Sequence, residues 1–172
     1  WALATAIESG FLPLPDVVAW ADRLILELEA PRSWLLDLCL AKSKEQASAT
    51  VWMEWNLASE LAGTIEHADP CWEDVYLGFL YRQHERGSLT MSELLEQAGR
   101  FSDAYGSSHV DCESFYYLLN EIDGGGPTIP SNRPLAERVA ELFAPMVEST
   151  RQYLRLLPED LRERDRPSPY SR

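Results

Sequence analysis

Three short stretches hold residue types that could do chemistry. In His109-Val110-Asp111-Cys112-Glu113 an imidazole and a thiol stand three residues apart. A helix started near His109 would bring them to one face, as a cysteine nucleophile requires of its base. No oxyanion donors accompany them, and Cys112 reads better as a small buried hydrophobe. Glu66, His67, Asp69 and Cys71 fall within six residues. Zinc favours such nitrogen and sulfur ligands, but a site needs four converging groups, and Asp69 before Pro70 has an ordinary duty as a helix N-cap. Gly124-Gly125-Gly126 suggests a phosphate cradle. It has no P-loop lysine, and Asp123 adjoins it. Neither HExxH nor paired CxxC occurs. The reading is no catalytic residue, no metal and no cofactor, with an enzyme disfavoured.

A binding surface is the better prospect. Trp52 and Trp55 lie one helical turn apart in a stretch without lysine or arginine between Glu45 and Tyr81. That stretch carries Glu54, Glu60, Glu66, Asp69, Glu73 and Asp74. Tryptophans supply anchor area and carboxylates steer a basic protein toward them. The whole chain has 15 basic and 28 acidic side chains, a formal net charge of −13. Residues 1–132 hold 21 of the acids, and residues 133–172 hold 8 of the bases. Such a surface repels nucleic acid. No apolar run approaches the ~20 residues of a membrane span. Three widely separated cysteines, Cys39, Cys71 and Cys112, fit reduced thiols in a cytoplasm. No signal peptide is visible.

The elements that must position these residues are helices. Apolar spacing and stop signals predict them over 3–9, 15–29, 34–42, 45–61, 70–86, 92–105, a stretch after Asp111, and 135–157. The third is apolar nearly all round and is expected to be central. Pro145 is expected to kink the last. After Pro158 the composition turns to Arg, Glu, Asp, Pro and Ser, which predicts a flexible tail over 158–172. ESGFLPLPDVVAWADRL, starting at Glu8, returns 77 residues later as ERGSLTMSELLEQAGRF, starting at Glu85. Glu8, Gly10, Leu12, Ala21 and Arg23 are matched by Glu85, Gly87, Leu89, Ala98 and Arg100. In both copies a glycine closes one helix, and an acid opens the next.

At GFLPLPDVVAWADRLI the chain resembles small bacterial helical proteins of the toxin-immunity type, over roughly Ala6 to Leu40. The resemblance implies an inhibitor, a compact acidic protein that blocks a toxin by covering its active site. It brings no catalytic residues. The expectation is an all-α protein of seven to eight helices, one domain over 1–157 open to division into two similar four-helix units, 1–68 and 69–157. Its expected work is that of a cytoplasmic acidic protein-binding module occluding a basic partner. Trp52, Trp55, Glu54, Glu60, Glu66, Asp69, Glu73 and Asp74 are the expected contacts. An enzyme or small-ligand binder with a pocket between the halves is the alternative, and a structural homodimer is a third reading.

Overall fold

A computed structural model describes residues 1–62, 72–106, 109–124 and 132–162. The described residues are all-helical and contain no strand. The helices are α1 (Ala2–Glu8), α2 (Leu14–Glu27), α3 (Ser33–Cys39), α4 (Lys44–Ala62), α5 (Trp72–Glu85), α6 (Met91–Tyr105), α7 (Cys112–Asp123), α8 (Leu135–Leu154) and α9 (Glu159–Arg162). None is long and apolar enough to cross a membrane. The chain, read from sequence as one domain over 1–157, divides into two compact units. One comprises Trp1–Asp69 with Tyr153–Arg172, the other Pro70–Gln152.

In the first unit α1 lies on α4, α2 on α3, and α3 on α4. The short α1 buries Ala2, Ala4, Thr5, Ala6 and Ile7, small enough side chains to allow close approach on several sides. It ends at Gly10, whose φ of +82° suits a residue without Cβ. α2 opens with Pro15 and Asp16 in its first turn and buries Val17, Trp20 and Ala21. α4 is started by Ser43, whose hydroxyl accepts the Gln46 N–H at 3.3 Å. It buries Ala47, Ser48 and Val51. One expectation is corrected here. α3 is not a central helix, because it buries only Leu35 and Leu38 while Leu36 and Leu40 are 46% and 74% exposed.

The second unit is built on α5, which is buried on most sides through Val75, Leu77, Gly78, Phe79, Leu80 and Gln83. Around it gather Leu94, Leu95, Ala98 and Phe101 of α6, Phe115 and Leu118 of α7, and Val139, Phe143 and Met146 of α8. α6 starts in a capping box. The Thr90 hydroxyl accepts the Glu93 N–H, and the Glu93 carboxylate accepts the Thr90 N–H at 2.8 Å. The Thr90 backbone N–H, then its hydroxyl, hold the Glu93 carboxyl below the usual carboxylate range. α8 continues through Pro145, which has no N–H to offer the Glu141 carbonyl.

Part of the stretch expected as a flexible tail is helical. Pro158 starts α9, its carbonyl accepting from Leu161 and Arg162 at 3.0 Å each. Leu157 and Leu161, one turn apart, are 2% and 3% exposed. Burial of these two leucines orders residues 158–162 despite their charged neighbours. Residues 163–172 lie outside the described ones.

Candidate functional site

A surface with the capacity for recognition lies between α3 and α4, within the first unit. α4 carries two stripes at helical spacing. Ala47, Ser48 and Val51 make the buried one. Thr50, Met53, Glu54, Leu57 and Glu60 make the other, at intervals of three and four residues. This second stripe and Asn56 form one wall of an open groove, and Ser33, Trp34 and Asp37 of α3 form the other. The groove has a volume of about 530 Å³. Met53 and Leu57 are exposed, and Trp34 is half-buried against Trp20, with ring centroids 6.4 Å apart.

The groove therefore offers an apolar floor with three carboxylates in its lining, Asp37, Glu54 and Glu60. Glu54 is the most sheltered of these. The Arg32 guanidinium, just before α3, donates to its Oε1 at 3.0 Å. An exposed pair of this kind contributes only ~0–1 kcal/mol, so it can exchange partners. On the far side of α3, burial first, and then the nearby Asp22 carboxylate, push the Cys39 thiol up to about 11. A thiol held protonated is a poor nucleophile.

The contacts expected from sequence do not all meet here. Glu54 and Glu60 line the groove. Trp52 and Trp55 stand on α4 but outside the lining, Trp52 half-buried and Trp55 exposed. Glu66 and Asp69 lie outside the described residues. Glu73 and Asp74 open α5 in the second unit. Asp74 is corrected as a surface charge: it is 2% exposed, with its Oδ2 3.4 Å from His109 Nε2. Trp34, Asp37, Met53 and Leu57 were not foreseen. The spacing of Met53 and Leu57 opposite Ala47 and Val51 was the available signal.

His109 faces Asp74, while Cys112 is the half-buried first residue of α7. His84 Nδ1 is 2.9 Å from the Leu89 carbonyl, across the turn between α5 and α6. Gly124 caps α7 with φ +69°, and Gly125 and Gly126 lie outside the described residues. So do Glu66, His67, Asp69 and Cys71. Among the described residues no three His, Cys, Asp or Glu side chains converge as metal ligands. Comparison with protein families, with curated proteins and with solved structures finds no match.

Proposed function

We propose that this chain is a protein-binding module that receives a basic partner in the α3–α4 groove and acts by covering that partner's surface. The observation that carries the reading is the union of an apolar floor, Trp34, Met53 and Leu57, with the carboxylates of Asp37, Glu54 and Glu60 in one open groove. Apolar area supplies affinity, and the carboxylates supply orientation and approach. The net charge of −13 extends the attraction beyond the groove. An open groove walled by two helices also suits a protein segment better than a small molecule, which binds best when mostly enclosed. The immunity-type inhibitor implied by the resemblance over Ala6 to Leu40 is the concrete form of this proposal, and the cytoplasm is its proposed setting.

The test uses two short peptides, one of arginine and leucine and one of glutamate and leucine, titrated against the full chain. The cationic peptide binds, and its affinity falls as salt rises from 50 to ~300 mM, because exposed charges are screened within ~10 Å. Replacing both exposed floor residues, Met53→Ser with Leu57→Ser, weakens binding by about tenfold. Equal binding of the two peptides, or full binding to the double variant, removes the groove from the argument.

A further inference from the structure

We infer that the segment received by the α3–α4 groove is a three-turn amphipathic helix whose arginine takes Glu54 over from Arg32; this rests on the docking reading above. The walls dictate the form. The longer wall, Thr50 to Leu57, lies inside α4, where the backbone N–H and C=O groups are committed to bonds within the helix, so that only the first turn of α3 at Ser33 and Trp34 presents backbone donors. An extended segment laid on Met53, Leu57 and Trp34 would leave its own backbone groups against apolar side chains without partners, each costing ~1–3 kcal/mol. A helix satisfies its backbone internally, so it can lay an apolar face on this floor at no such cost.

Length and charge fit the same occupant. The α4 wall runs from Thr50 to Glu60, which at 1.5 Å per residue is ~15 Å, or close to three helical turns. Apolar side chains at i, i+3 or i+4, and i+7 on the occupant then match the stripe of the wall. Glu54 and Glu60 are separated by ~9 Å along α4, so cations two turns apart on a helix aligned with α4 reach both. Arg32 marks how the first of these sites is filled, with a guanidinium nitrogen 3.0 Å from Oε1 of Glu54. An incoming arginine exchanges one charge-assisted hydrogen bond for another of the same kind. Arg32 thus competes with the occupant, and its removal strengthens binding.

The experiment measures binding of three arginine–leucine–alanine peptides of closely similar composition to the full chain by fluorescence anisotropy. One has leucines at helical spacing, one has them alternating, and one repeats the helical order with a central Ala→Pro change. The helically ordered peptide binds at least tenfold more tightly than the other two and gains helical circular dichroism on binding. It binds Arg32→Ala about twofold to fivefold more tightly than the parent chain, the range a released surface pair allows. If the alternating or proline peptide binds as well as the helical one, the helical occupant is overturned while the groove keeps its standing through the Met53 and Leu57 variant. Weaker binding to Arg32→Ala overturns the exchange at Glu54. If none of the peptides binds, the docking reading itself falls.

Discussion

Cys39 shows how a single side chain reports its surroundings. Burial, and secondarily the Asp22 carboxylate, raise its thiol from 9.0 to about 11. Between those values the unfolded chain releases a proton that the folded chain keeps. Stability therefore falls as pH rises through that window, by the linkage between proton binding and folding. The expected alkylation of Cys39 by iodoacetamide, followed by peptide mass spectrometry, keeps accelerating past pH 9 in the folded protein. In urea it levels near pH 9. Asp22→Asn shifts the folded profile toward lower pH, and an unchanged profile would leave burial as the sole cause. Asp74 teaches the complementary point. A carboxylate that looks in sequence like one more surface charge is withdrawn beside His109. Sequence shows that a charge exists, and packing decides whether it faces a partner.

At the scale of elements, helix ends were more legible than helix roles. Gly10, Gly87, Gly106 and Gly124 all take positive φ, and Gly10 and Gly87 are legible as stops from their place in the two repeat copies. The turns at Gly10 and Gly87 share two backbone bonds at the 77-residue offset: Ser9 to Thr5 and Gly10 to Ile7 correspond to Arg86 to Arg82 and Gly87 to His84. Roles were harder. α3 looked central because a helix apolar nearly all round, interrupted by Asp37, carries little sign of which face is covered. In α5 Asp74 and Gln83 interrupt the apolar pattern, yet both are buried. The carboxylates at 54 and 60 were legible as charge, whereas the groove floor joins residues from two helices and no single stretch displays it. α5 also carries a tight approach. A Cβ built on Gly78 would stand 2.4 Å from both the Met146 carbonyl oxygen and Thr150 Cγ2. Gly78→Ala should thus destabilise by ~1–3 kcal/mol through overpacking. Its intrinsic helix preference of ~1 kcal/mol acts in the opposite direction. Urea unfolding checks this, and a variant as stable as the parent would mean that α8 yields without cost.

For the whole molecule, charge and exposed apolar area act against each other. Leu26, Leu40, Met53 and Leu156 are each more than half exposed, and mutual repulsion at −13 keeps such surfaces apart at neutral pH. The sequence pI is about 4.6. Light scattering should therefore show self-association rising as pH falls toward that value, and Leu40→Ser with Met53→Ser should reduce it. Scattering independent of pH would mean that these side chains do not meet between molecules. The division of the chain has a consequence of another kind. The first unit is discontinuous: the ring of Trp1 lies 4.3 Å from that of Tyr153, and Arg23 pairs with Asp160 at 3.3 Å. Translation delivers its N-terminal helices first and its closing residues only after the whole of the second unit. Emerging from the ribosome, Pro70–Gln152 has every internal partner in hand, while α1 and α2, already against α4 and α3, still wait for Tyr153 and α9. Of the two units, the one begun first is the one that must finish last.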